Sequence, residues 1–126
     1  MKLLIPLAAA FSLASCATIA PPAAPGTVDH VVLFWFKRPG NAADRKAVLN
    51  ACKELRGIPG IRSLDAGTAL ASSRPVVDDS FDIGLTVRFD SADALHAYEK
   101  DPRHVKQLDT VLRPLAAKTV VYDIIR

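Results

Sequence analysis

One stretch limits what this chain can fold into more than any other: Val28-Asp29-His30-Val31-Val32-Leu33-Phe34-Trp35-Phe36-Lys37. It is rich in branched and aromatic residues and predicts a strand. Side chains alternate along a strand, so His30, Val32, Phe34 and Phe36 share one face while Val31, Leu33 and Trp35 share the other. Both faces are apolar, so both need a cover.

The segments that follow say what supplies one cover. Pro39-Gly40 breaks the strand, and Asn41 with Asp44 three residues on marks a helix start. Val48, Ala51, Cys52 and Leu55 then share one helical face, and Gly57, Pro59 and Gly60 end the helix. Ile61 to Ser72 reads as a second strand with Gly67 as a bulge or close-approach point, followed by a polar loop over Ser72 to Asp79. Asp78, Asp79 and Asp82 read as a solvated acidic loop rather than a metal site. Phe81 to Phe89 alternates as a third strand, and Ser91 caps a helix, Ala92 to Lys100, with Leu95 and Tyr98 on one face. Asp101-Pro102 closes that helix and opens another, because Asp suits the cap and Pro the first helical position. Val105, Leu108, Val111, Leu112 and Leu115 carry its inward face up to about Ala117, and Thr119 to Ile125 is a final strand.

The order β, α, β, β, α, β, with the second helix broken at Pro102, predicts an α+β fold: a ferredoxin-like βαββαβ sandwich with a four-stranded antiparallel sheet. Its helices cover one sheet face. The other would expose more contiguous apolar surface than a monomer usually does, so a homodimer packed sheet against sheet is expected. Residues 28–126 form this single domain.

Ahead of the domain, Met1-Lys2, Leu3 to Leu13 and Leu13-Ala14-Ser15-Cys16 read as the basic start, apolar run and cleavage site of an export signal over residues 1–15. The run, about eleven residues with Pro6 inside, is far short of the roughly 20 that a spanning helix needs. Leu13 to Cys16 resembles the lipobox of bacterial lipoproteins, which implies cleavage before Cys16 and acylation of its thiol. Each buried methylene of such chains contributes about 0.8 kcal/mol to anchoring. Residues 16–27, the cysteine and an uncharged stretch with Pro21, Pro22 and Pro25, read as a tether of roughly 30 Å, at about 3.1 Å per residue if extended. Ala17, not Asp, follows the cysteine, and by resemblance to lipoprotein sorting in Gram-negative bacteria this implies the outer membrane, facing the periplasm.

Cleavage removes only Lys2 among the charged side chains, so the balance of 16 basic to 13 acidic residues barely moves, and no Lys/Arg run marks a nucleic-acid surface. With Cys16 acylated, Cys52 has no disulfide partner, and its place on the buried helical stripe makes it an inert core residue. The expected partners are a second copy, the lipid bilayer through Cys16 and a small hydrophobic molecule.

Several segments resemble, in order and spacing, the stress-responsive dimeric A/B barrel (Dabb) family: His30 to Lys37, Ile58-Pro59-Gly60-Ile61, Gly67, Val87-Arg88-Phe89-Asp90-Ser91, Tyr98 to His104 and Val121-Tyr122-Asp123. The resemblance covers nearly all of Val28 to Ile124 and implies a ferredoxin-like domain that pairs into a dimeric α/β barrel. It says less about chemistry, because such folds host unrelated functions. By similarity to the family's plant polyketide cyclase, it implies an active-site tyrosine and histidine at Tyr98 and His104 and a further pocket histidine at His30. Ile83 stands where that enzyme has another pocket histidine, and Cys52 approximately where it has a tyrosine, so its particular reaction is not implied.

Proton removal beside a carbonyl suits an imidazole such as His104, with the phenol of Tyr98 holding the substrate oxygen and His30 as auxiliary. A structural role is open for all three: Tyr98 as core filler, His104 bonded to a carbonyl at the break before Pro102, His30 bonded to a strand neighbour. His96 lies about 100° round the helix from Leu95 and reads as solvated. There is no Cys/His cluster with zinc spacing, no GxGxxG or P-loop and no GxSxG, so no cofactor or metal is expected. Two functions stand open: a module binding a small apolar molecule, and a cofactor-free enzyme of cyclase or oxygenase type.

Overall fold

A computed structural model describes residues 22 and 24–126; the export signal, Cys16 and most of the tether lie outside the described residues. The elements are β1 (Val28–Phe36), α1 (Ala42–Glu54), β2 (Ile61–Gly67), β3 (Ile83–Phe89), α2 (Ala92–Lys100), α3 (Pro102–Gln107) and β4 (Ala116–Ile125). A π-helical turn, Leu108–Leu112, and one last turn, Arg113–Leu115, join α3 to β4. The strands form one antiparallel sheet in the order β2-β3-β1-β4, with the helices on one side: the ferredoxin-like sandwich.

β1 is central, and its two faces behave differently. Val28, Val32, Phe34 and Phe36 are at most 5% exposed beneath the helices. Val31, Leu33 and Trp35 on the opposite face are only half-buried, because no element among the described residues lies over them. The core beneath the helices gathers Val48 and Cys52 from α1, Leu55 just after it, Ile83, Val87 and Phe89 from β3, and Leu95 and Tyr98 from α2. Burying each such large apolar side chain is worth about 1.5–3 kcal/mol. Among the described residues the buried core lies between Val28 and Leu112.

The helix starts follow the expected caps: the side chain of Asn41 accepts from Asp44 N, that of Ser91 from Ala94 N, and that of Asp101 from Arg103 N. Gly60, which turns the chain into β2, has φ +87°, and a Cβ there would sit 2.7 Å from that of Ala94. Only glycine fits, since it alone takes this φ freely and brings nothing against α2.

Other expectations need correction. β2 ends at Gly67 rather than Ser72, because its last partner is Gly84 and β3 begins only one residue earlier, at Ile83. The register shift in β2 falls between Ile61 and Ser63, and a Cβ on Gly67 would meet nothing. Asp82 is not solvated. It is 8% exposed, and its carboxylate accepts from Phe36 N at 2.8 Å and Gly40 N at 2.6 Å, closing the β1–α1 turn. Val105 is 41% exposed instead of inward, since the wide turn at Leu108–Leu112 breaks the 3.6-residue spacing that linked it to buried Leu112. β4 starts at Ala116, where it pairs with Phe36. The tether also orders before Val28: Gly26 N donates to Arg126 O, and Arg126 N to Thr27 O.

At that end, Asp29 is 5% exposed and accepts from both Arg88 and Arg126, with Arg88 Nε at 2.6 Å and Arg126 Nη2 at 2.6 Å. The Arg88 bond above all, then that of Arg126, lowers the Asp29 carboxyl from 3.8 to about 2. Its charged form is the one the fold stabilises, so this contribution is full above the unfolded value near 4 and is lost as pH falls through about 2. In urea melts from pH 5 to 2, Asp29→Asn should therefore show a flatter loss of stability than the parent protein, while being less stable at pH 7.

Candidate active site

The break between α2 and α3 builds the site. Tyr98 lies on the inward face of α2 and is 1% exposed. Asp101 N donates to Tyr98 O to end α2, the Asp101 side chain caps α3, and Pro102 opens it. The turn lays His104 over Tyr98, with ring centroids 4.3 Å apart. His104 Nδ1 lies 3.2 Å from Glu99 O. A carbonyl only accepts, so Nδ1 carries the proton and Nε2 is left for another partner.

His30 enters from the sheet. It stands directly opposite Asp123 in the β1–β4 register, with His30 Nδ1 2.6 Å from Asp123 Oδ1. The carboxylate accepts from Nδ1–H and sets the ring's orientation, so that Nε2 is the acceptor whenever the ring is neutral. The His30 ring lies 6.1 Å from Tyr98 and 6.2 Å from Phe89, edge-on to both. All three residues singled out in the sequence therefore line one cavity of about 340 Å³ between the sheet and the α2–α3 layer. Val32, Phe34, Leu85, Leu108, Leu112 and Val121 make its apolar wall; His30, Tyr98, Glu99, His104 and Thr119 bring the polar groups.

Burial above all, with Cys52 and Glu99 nearby, pushes the Tyr98 phenol well above its usual range. It is a hydrogen-bond donor, not a base. The hydroxyl has no hydrogen-bond partner among the described residues. Cys52, 1% exposed, has its thiol raised by burial to about 11 and stays an inert core residue. His96 faces solvent, 3.4 Å from Glu99 Oε2. Among the described residues no cluster of His, Cys, Asp or Glu could hold a metal ion.

Asp123 and Glu99 were not singled out from the sequence. Asp123 stood within the Val121-Tyr122-Asp123 match, but its place opposite His30 depends on a pairing across 93 residues. Glu99 was available from its position beside Tyr98, at the end of a helix whose neighbour it faces.

A four-stranded antiparallel sheet carrying its helices and an aromatic–imidazole cavity on one face defines a ferredoxin-like α+β protein. The chain belongs to the Dabb family, the stress responsive A/B barrel domain, whose model matches residues 28–126. Among curated proteins none matches it. Solved structures share the fold. A Dabb family protein with a ferredoxin-like fold from Mesorhizobium loti is 24% identical, with 80% of this chain and 97% of that one covered and a TM-score of 0.66. A dimeric ferredoxin-like protein of unknown function from Thermobifida fusca is 20% identical, with coverages of 81% and 92% and a TM-score of 0.67. A hydroxynitrile lyase from Passiflora edulis is 20% identical, with coverages of 82% and 95% and a TM-score of 0.70.

Two substitutions check the geometry. Asp123→Ala should move the His30 ring away from the Nδ1–H tautomer, read from its imidazole 15N shifts, while those of His104 stay unchanged. Tyr98→Phe should leave stability within about 0.5 kcal/mol in urea melts, because it removes a hydroxyl without orphaning a partner.

Proposed function

We propose that this protein is an envelope lipoprotein, anchored in the outer membrane through acylated Cys16, whose domain pairs as a homodimer and holds a small, mostly apolar molecule in the His30–Tyr98–His104 cavity. The observation that carries the ligand reading is the cavity itself: an apolar wall with convergent polar side chains, the usual make-up of a small-molecule site. For the dimer, support comes from the uncovered sheet face, where Val31, Leu33 and Trp35 adjoin Tyr122, which is 57% exposed. Neighbours of this fold from Thermobifida fusca and Bacteroides fragilis are described as dimeric.

A second reading, cofactor-free acid/base catalysis, is favoured by one feature: both imidazoles have Nδ1 committed to an acceptor, leaving each Nε2 as a free proton acceptor beside a phenol donor. In that reading His104 removes a proton next to a carbonyl, Tyr98 holds the oxygen on which charge develops, and His30 assists, oriented by Asp123. The hydroxynitrile lyase of the same fold shows that the fold can carry catalysis.

Native mass spectrometry of the protein from its own host, looking for a co-purifying small molecule lost in His104→Ala, tests the ligand reading. Turnover of carbonyl or phenolic compounds that survives His104→Ala unchanged would remove His104 from any mechanism. Light scattering at micromolar concentration should give a dimer mass, and Leu33→Glu a folded monomer. Cys16→Ser should move the protein from the membrane fraction to the soluble one.

A further inference from the structure

The charges at the cavity say which kind of small molecule it takes. Despite the chain's formal charge of +3, no Lys or Arg among the described residues lines the cavity, whereas Glu99 does. A second carboxylate, Asp123, stands behind His30 at 2.6 Å. Among the described residues Glu99 has no cation closer than the surface contact to His96 at 3.4 Å, where both side chains are about half exposed or more. Glu99 directly follows Tyr98 in α2 and lines the same cavity. An anion bound there would lie beside that carboxylate, with no lysine or arginine among the described lining residues to offset the repulsion.

The size also bears on the ligand. At about 340 Å³ the cavity lies at the small end of the range usual for small-molecule sites, about 300–1,000 Å³, which suits a compact single-ring compound. Besides Glu99, its polar side chains are the Tyr98 phenol, the Thr119 hydroxyl and two imidazoles; the phenol can donate to a carbonyl oxygen, and an imidazole can accept from a hydroxyl.

We infer that the cavity takes an uncharged single-ring compound bearing a carbonyl or hydroxyl group and rejects the corresponding carboxylate, with Glu99 as the residue that sets this preference. The inference rests on the small-molecule reading above and adds the ligand's charge, size and selecting residue.

The test uses the chain from Ala17 onward, whose described core lies within the domain, and matched pairs of near-equal size: benzamide with benzoate, and 4-methylacetophenone with 4-methylbenzoate. Binding is followed by 1H–15N chemical shifts at pH 8. The neutral member of each pair should bind with at least about tenfold lower Kd, with shifts at Tyr98, His104 and Val121. Glu99→Gln should shrink that ratio to about threefold or less by strengthening the carboxylates, and Glu99→Asp should keep it above the Gln variant's. Glu99 is half-exposed, so both variants should keep the parent's spectrum outside the cavity. Equal binding of neutral and anionic members to the parent would overturn the charge selection and leave the ligand reading standing. Selection that survives Glu99→Gln would remove Glu99 as its cause. Failure of every neutral compound at millimolar concentration would overturn the inference and the ligand reading together.

Discussion

Strand β1 runs through the middle of the sheet, hydrogen-bonded to β3 on one side and β4 on the other, and the rest of the molecule is arranged around that position. Its inner face supplies Val32 and Phe34 to the cavity wall and His30 to its polar groups. The pairing with β4 brings in Asp123, and the pairing with β3 brings Leu85 alongside. Because a slip of one residue would send every side chain to the opposite face, the register that buries the core also aligns the His30–Asp123 pair. Stability and site geometry rest on the same hydrogen bonds.

The second determinant is a helix that stops. A continuous helix through Asp101 would carry His104 away from Tyr98, at six residues' distance and about 240° round the axis. Proline at the start of α3 and the Asp101 cap force a new axis, and the two rings then meet face to tilted face, with Glu99 O satisfied by the incoming imidazole. The π-helical turn that follows brings Leu108 and Leu112 to the cavity while turning Val105 outward. An irregular stretch of helix is thus what shapes one side of the pocket.

Charge is distributed with similar economy. The buried Asp29 draws Arg88 and Arg126 to the end of the sheet where the tether enters, fastening the last residue to the first strand. Asp82 closes the opposite end by accepting two backbone N–H groups. In both places a carboxylate satisfies donors that would otherwise be left near the sheet's ends, a structural use of charge. At the cavity the carboxylates do something else: Asp123 orients an imidazole, and Glu99 lines the pocket beside the Tyr98 phenol.

Much of this was written locally in the chain. The two-faced β1, the caps at Asn41, Ser91 and Asp101, the stripe of Val48, Ala51, Cys52 and Leu55, and the break at Pro102 follow from alternation, helical spacing and backbone chemistry, each set by residues a few positions apart. They sufficed for the ferredoxin-like sandwich and for His30, Tyr98 and His104 as candidates. What local pattern could not supply was partnership across long separations. Asp82 reads as loop until β1 and α1 fold against it, Val105 reads as inward until the π-helical turn rotates it out, and Asp123 gains its meaning only when β4 pairs with β1. The sequence by itself determined the elements and which face of each is apolar, because those depend on neighbours along the chain. Tertiary structure alone decided that three candidate side chains share one cavity with Glu99, with Asp123 behind His30, because only packing and strand register bring distant residues together.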